Sequence, residues 1–339
     1  MVKIFVGVIG AGRIGKIHIE NLLHKIPEVK LKIVADIKLD NQLKHWAAEK
    51  GIPYLTTDAN EIFTDPEIDV VAIASSTDTH AEFIQKAAQA KKHIFCEKPI
   101  DTDLKRIRET LSIVKEAGVK LMVGFNRRFD HNFKRIHDAV VSGQIGTPQI
   151  IKITSRDPSP PPIEYVKVSG GLFIDMTIHD WDMARYQAGS EVEEVYAAGG
   201  VLIDPEIGKA GDIDTAAAIL KFKNGALGII DNSRQAVYGY DQRVEVFGSK
   251  GCVIAGNDTP NTVQIYTAES TSMDKIPFFF LERYMESYAS ELQHFFNCLQ
   301  NNQDPFPNGE DGLQDVLVAM AAKKSFEEHR PIKISEVDK

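Results

Sequence analysis

Cysteine is scarce in this chain: Cys96, Cys252 and Cys298 are three among 339 residues. An odd count without metal-ligand spacing speaks against a disulfide framework and a cysteine-held metal, and points to a reducing, cytoplasmic setting. Long apolar runs are missing as well, since none approaches the ~18 residues of a membrane span. The first residues read as a short core strand with no basic segment and no cleavage site, so no signal peptide is expected. Positive charge is in deficit: 39 Lys and Arg against 48 Asp and Glu leave a net charge of −9. That balance argues against nucleic acid or an anionic membrane as the main partner. There is no internal repeat and no low-complexity segment; Pro158-Ser159-Pro160-Pro161-Pro162 is a stiff loop. What is left, 43% hydrophobic and 26% charged, is the composition of a soluble globular protein. The length exceeds one ordinary core and implies two domains.

The most informative stretch lies at the start. A short apolar strand, Val2 to Ile9, runs straight into Gly10-Ala11-Gly12-Arg13-Ile14-Gly15, a G-x-G-x-x-G motif. A helical stretch, Lys16 to Lys25, and a second apolar strand, Leu31 to Ala35, follow, and Asp36 ends that strand 21 residues beyond Gly15. In this context Gly10 permits a tight turn, Gly12 lets the backbone approach a pyrophosphate, and Gly15 lets helix and strand pack closely. The phosphates would meet free N–H groups at the positive end of the helix dipole. An ordinary strand–turn–helix with glycines at the bend is the plainer alternative; strand, helix and acid in register favour a dinucleotide. Asp36 would accept hydrogen bonds from a ribose 2′-hydroxyl and repel a 2′-phosphate. Two like charges near 4 Å cost on the order of 4 kcal/mol at an effective dielectric of 20, so NAD is expected over NADP, although Lys38 offers a cation nearby.

Strand and helix patterns alternate through the first third: a helix over 41–50, a strand over 69–74, a helix over 80–90, strand 93–96, a helix over 103–117 and strand 120–124. The succession predicts an α/β Rossmann domain, a doubly wound parallel sheet, over residues 1–125. Ligands in such sheets gather at the carboxyl ends of the strands, here Gly10–Gly15, Asp36, Ser75 to His80 with Thr77, Glu97 to Pro99, and Phe125 to Arg128 with Asn126. Beyond about residue 146 strand candidates follow one another: 149–155, 193–202, 215–222, 226–235, 243–247, 252–255 and 263–266. With helices over 281–300 and 312–329, residues 126–339 read as an α+β domain with a large, mainly antiparallel open sheet. Poor alternation over Ala216–Leu220 suggests a sheet covered on both faces, with a second subunit supplying cover where helices run out.

Asp175 and His179 lie four residues apart. On one helix they share a face and touch; a carboxylate beside an imidazole fixes its tautomer and stabilises the imidazolium formed when it takes a proton. The alternatives are a pair bracing a helix, worth ~0.2–0.5 kcal/mol, or a divalent-metal site of Asp175, His179, Asp180 and Asp182. The second is disfavoured because adjacent residues point apart on a helix, and no metal is expected. Lys98, at the end of a parallel strand, can hydrogen-bond a substrate hydroxyl and favour its developing alkoxide, or be a solvated loop lysine. Cys96 beside it reads as buried strand.

Glu97-Lys98-Pro99, the glycine motif, Thr77-Asp78-Thr79-His80, Gly124-Phe125-Asn126-Arg127-Arg128-Phe129 and Asp175…His179-Asp180 together resemble the glucose–fructose oxidoreductase/inositol dehydrogenase family through nearly the whole chain. Ser155-Arg156-Asp157-Pro158, Pro160–Pro162, the 165–171 loop, the 179–185 stretch and Tyr238-Gly239-Tyr240-Asp241 look most like the inositol 2-dehydrogenases. The resemblance implies NAD-dependent oxidation of myo-inositol to 2-keto-myo-inositol, with His179 accepting the hydroxyl proton, Lys98 orienting that hydroxyl and Asp175 holding the imidazole. It places Glu97 and Asn126 near the nicotinamide ribose and offers Arg127, Asp157, Tyr238 and Tyr240 for the other hydroxyls. A tetramer built on the second domain's sheet is also implied. Dehydrogenation of scyllo-inositol or an aldose, glycoside hydrolysis with tightly held NAD, and a non-catalytic NAD-sensing regulator stay open at this point; the complete Lys98, Asp175 and His179 set speaks against the regulator.

Overall fold

The structure, a computed structural model, describes residues 3–338; Val2, the first residue of the expected opening strand, lies outside them. Its contacts divide the chain into two compact units. The first runs through Phe129 and takes in Glu286–Gln314; the second is Asp130–Met285 with the chain from Asp315 onward.

The first unit holds a six-stranded sheet built from β1 (Ile4–Ile9), β2 (Val29–Ala35), β3 (Leu55–Thr56), β4 (Val70–Ile73), β5 (His93–Glu97) and β6 (Leu121–Gly124). The order is β3-β2-β1-β4-β5-β6, every pairing parallel. Strand order reverses between β1 and β4, which opens a crevice at their carboxyl ends. The strands are continuous apolar runs because both faces are covered. The helix Leu104–Ala117 shows how local chemistry sets the boundaries: Asp103 caps it, accepting from Lys105 N–H at 2.7 Å, and Gly118 stops it in the left-handed region.

Glu286–Gln314 returns to this unit, a placement that boundaries at 125 and 126 do not contain. The apolar face of the helix Met285–Gln300 carries Leu292, Phe295 and Phe296 into the core of Val6, Val8, Phe95 and Met122, and Val123 N–H donates to Pro307 O at 2.9 Å. The expected helix over 281–300 is in fact two, Phe280–Arg283 and Met285–Gln300.

The second unit carries β7 (Pro148–Arg156), β8 (Val192–Gly200), β9 (Thr215–Phe222), β10 (Leu227–Ser233), β11 (Asp241–Gly248) and β12 (Gly251–Ala255). With the short strand Ile332–Lys333 they form a seven-stranded sheet ordered β12-β11-β7-β10-β9-β8 and then Ile332–Lys333. Only β7 and β10 pair parallel. Helix Ile178–Ala188 packs against β7, so one face is buried. The other is left exposed along β9 by the described residues, contrary to the reading of that strand: its burial alternates strictly. The alternation is invisible in sequence because the outward positions are themselves apolar, Ala217 and Ile219.

Asp214, fully buried at the entry to β9, accepts from the N–H groups of Leu202 (2.8 Å), Ile203 (2.9 Å) and Asp204 (3.0 Å) and from the Thr215 hydroxyl (2.9 Å). Burial acts to raise its pKa, but these donors outweigh it and hold the carboxyl below its ordinary 3.8. A depressed folded pKa stabilises fully above the unfolded value and is lost as pH falls through the folded one. Asp214→Asn should therefore cost about 1–3 kcal/mol at neutral pH in urea unfolding, and the gap to wild type should close in strong acid; an unchanged midpoint at neutral pH would contradict this role.

Candidate active site

In the first unit the glycine motif is shaped by backbone contact. Gly10 has φ +96°, and a Cβ there would stand 2.5 Å from Ala74 O; a Cβ on Gly15 would stand 2.1 Å from Gly10 O. Gly12 meets nothing within 4 Å and precedes the helix Arg13–His24, whose first N–H groups receive no side-chain cap. This is a cradle that side chains would fill and a phosphate group fits. Asp36, at the end of β2, is pinned: Oδ2 accepts from Ala11 N–H and Oδ1 from Lys38 N–H, both at 2.7 Å. Arg13 and Ile14 open the helix, Arg13 exposed. Ser75 and Thr77 border the end of β4, both half-buried.

Three residues expected at the cofactor also brace the strand ends. His80 is buried, its Nδ1 2.7 Å from Pro99 O and its Nε2 3.1 Å from Ser75 O, so it ties the loops after β4 and β5. Glu97 is hydrogen-bonded to His18 Nε2 at 2.6 Å. Asn126 is buried and donates to Ser287 Oγ at 3.3 Å. Arg127 is buried in the turn of 3-10 helix Asn126–Phe129. Cys96 is fully buried, and burial together with the Glu97 charge pushes its thiol well up, so it is inert as a nucleophile. Lys98, in contrast, is half-exposed at the end of β5.

In the second unit Asp175 and His179 do not share one helix. Asp175 ends Leu172–Asp175 and His179 is the second residue of Ile178–Ala188. The break comes from Thr177, whose hydroxyl bonds to Leu172 O (3.1 Å) and to Asn232 Oδ1 (3.0 Å) on β10. Asp175 Oδ1 accepts from Tyr165 Oη at 2.7 Å, and Oδ2 lies 3.7 Å from the Arg234 guanidinium. Arg234 is 1% exposed and also faces Asp212 at 3.4 Å; Asp212 accepts Leu172 N–H at 2.9 Å. Sequence reading missed Arg234. Its signal was the period of two in β10, where Ile230 and Asn232 point inward and the next inward position is an arginine, which needs acidic partners when buried.

The residues proposed for other hydroxyls in the second unit lie close to the β7–β10 pairing or to the loop after β10. Asp157 extends the β7–β10 pairing, its N–H on Ser233 O at 2.9 Å. The Tyr240 ring is buried edge-on to Phe279 and Tyr284. Tyr238 donates to Asp241 at 2.6 Å and accepts from Arg156 at 3.3 Å. With Arg156, Asp231 and Asn232 it lines a cavity of about 540 Å³. Asp180 is turned to Asn232 Nδ2 (2.8 Å). Asp130, His131 and Asp258 come together elsewhere, but the Arg283 guanidinium already bonds Asp130 and lies 3.0 Å from Asp258, supplying the cation.

A parallel sheet with a glycine cradle and a pinned acid, followed by a unit bearing a carboxylate and an imidazole at adjoining helix ends, defines a nicotinamide-dependent oxidoreductase. Residues 4–125 match the oxidoreductase family with NAD-binding Rossmann fold, and residues 133–254 match the GFO/IDH/MocA C-terminal domain. The chain belongs to the GFO/IDH/MocA family. It is 52% identical to the uncharacterized oxidoreductase YrbE of Bacillus subtilis (strain 168), over 99% of this chain and 98% of that protein. It is 51% identical to the myo-inositol 2-dehydrogenase of Thermotoga maritima, over 98% of this chain and 99% of that one. A crystal structure of a probable dehydrogenase from Thermotoga maritima superposes with a TM-score of 0.96 at 50% identity, covering 98% and 100% of the two chains.

Asp36→Ala should lower the preference for NAD over NADP by about tenfold or more, since it removes both the hydroxyl acceptor and the repulsion. Fluorescence titration with NADH and NADPH measures it; an unchanged ratio would remove Asp36 from this role.

Proposed function

We propose that this chain oxidises myo-inositol to 2-keto-myo-inositol with NAD⁺, giving NADH and a proton. The observation that carries the reading is its similarity, over almost its full length, to the myo-inositol 2-dehydrogenase of Thermotoga maritima. The chemistry of the residues supports it. NAD, when bound, supplies the hydride acceptor. His179, as the neutral imidazole, takes the proton of the hydroxyl being oxidised. Asp175 orients that imidazole and stabilises its protonated form, and Tyr165 and Arg234 hold the carboxylate in place. Lys98 donates to the same hydroxyl and favours negative charge on its oxygen. A neutral polyol buries little apolar area, so discrimination falls to paired polar groups, with Arg127, Asp157, Tyr238 and Tyr240 as candidates.

Initial rates at the NADH absorbance band, with myo-inositol, scyllo-inositol, chiro-inositol and glucose in parallel, test the substrate. A response to myo-inositol above the others is expected, rising toward alkaline pH as His179 loses its proton. Lys98→Ala and His179→Ala should bind NADH nearly as wild type and lose turnover by about 10²-fold or more. Activity centred on another polyol would move the substrate within the family. NAD binding without turnover on any polyol would favour the regulator.

The same reading places the protein in the cytoplasm, as a tetramer associated through the outward face of the second unit's sheet. Among the described residues no helix is long and apolar enough to cross a membrane. Tyr196, Ile219 and Ile229 stand in register across β8, β9 and β10 on the outward face, with Leu227, Phe247 and Ile254 also exposed. An apolar patch of this kind marks an interaction surface. Ile219→Asp with Ile229→Asp should reduce the mass measured by light scattering to that of smaller species; wild-type protein that is already monomeric would refute the assembly.

A further inference from the structure

Beneath the end of β5 three titratable side chains come together. His18, on the helix Arg13–His24, and Glu291, on the helix Met285–Gln300, are 0% exposed, and Glu97, which ends β5, is 9% exposed. One polar atom from each lies within 4.8 Å of the other two. His18 Nε2 and Glu97 Oε1 are 2.6 Å apart. Neither carboxyl oxygen of Glu291 has a hydrogen-bond partner among the described residues. Burial, reinforced by the Glu97 charge, drives the Glu291 carboxyl well above the usual carboxylate range.

Two carboxylates enclosed so close together must be neutralised by a proton or by a cation. The geometry favours the proton. Donor atoms each about 2.0–2.2 Å from one tetrahedral ion stand roughly 3.3 Å apart, whereas the His18 and Glu97 atoms are at hydrogen-bond distance. Glu97 is also closely confined. Its carboxylate lies against Gly124 at the end of β6, where a Cβ would meet it at 3.1 Å. It bonds the helix that opens on the glycine motif, and it immediately precedes Lys98.

We propose that Glu291 is a positioning residue for Lys98: it remains an uncharged carboxylic acid and donates its O–H to the Glu97 carboxylate, which keeps its bond to His18 and fixes the strand end carrying Lys98. The terminal carboxyl torsion of a glutamate is soft, so the O–H turns to Glu97 without movement of the helix. The cluster then holds one anion in place of two.

The proposal rests on the role given to Lys98, and its test separates the two. Infrared difference spectra of the whole protein at neutral pH should show a carboxylic-acid C=O band that Glu291→Gln removes, a readout independent of any substrate. Glu291→Gln donates an N–H from the same place and should keep kcat within about twofold, whereas Glu291→Met fills the space, donates nothing, and should lower kcat by about tenfold or more with KM little changed. No such band at neutral pH would overturn the proposal. So would a wild-type kcat in Glu291→Met, or a loss in Glu291→Gln equal to that in Glu291→Met. One equivalent of metal in the wild type, absent from Glu291→Gln, would replace it with a cation site. Full activity of Lys98→Ala would instead refute the role of Lys98 while the infrared band still decided the protonation of Glu291.

Discussion

The close approach of Gly15 to the carbonyl oxygen of Gly10, where a Cβ would stand only 2.1 Å away, is the constraint on which the first unit is built. Without a side chain at Gly15 the helix Arg13–His24 lies directly on the sheet, and its uncapped N-terminus comes to the crevice where strand order reverses. His18 is three residues further on, one turn along the same face. The helix therefore delivers that imidazole to Glu97 at the end of β5. A glycine that shapes a phosphate cradle thus also sets where His18 meets the end of β5, one residue before Lys98. The acid after β2 is tied into the same loop through Ala11, so motif and acid are parts of one arrangement.

How much of this was legible depended on how local the determinant was. The parallel sheet of the first unit could be read almost strand by strand, since continuous apolar runs, helix caps such as Asp103 and stops such as Gly118 are properties of a few adjacent residues. The return of Glu286–Gln314 could not be read. The apolar stripe of Leu292, Phe295 and Phe296 announces a buried helix face but does not say which of two cores receives it. The break between Asp175 and His179 was hidden for a similar reason, because Thr177 is held by Asn232, 55 residues further along. Spacing alone allowed one continuous helix. Tyr238 shows the limit most plainly: the resemblance offered it for hydroxyl binding, but its pairing with Arg156 and Asp241 depends on residues that only the folded sheet brings together. The resemblance to a known family named the chemistry and left that placement open.

The second unit solves a harder electrostatic problem than the first. An arginine at 1% exposure is costly unless paired, and Arg234 stands between two carboxylates, Asp175 and Asp212, neither in ideal contact at 3.7 and 3.4 Å. Asp212 is occupied by the N–H of Leu172 at the start of the short helix that Asp175 ends. Asp175 has the Tyr165 hydroxyl as its short partner. Asp212 therefore serves to set the helix and to share the arginine's charge, and the remaining attraction on Asp175 is long-range. A carboxylate with a short neutral bond and a cation at a distance is fixed in direction without being closed into a two-pronged ion pair. Had the guanidinium closed on Asp175 in a two-pronged pair, both carboxylate oxygens would have been engaged by one cation, and the carboxylate would have been a poor support for a base. In the mechanism proposed for this chain, the looser geometry of Arg234 suits Asp175 to orienting His179.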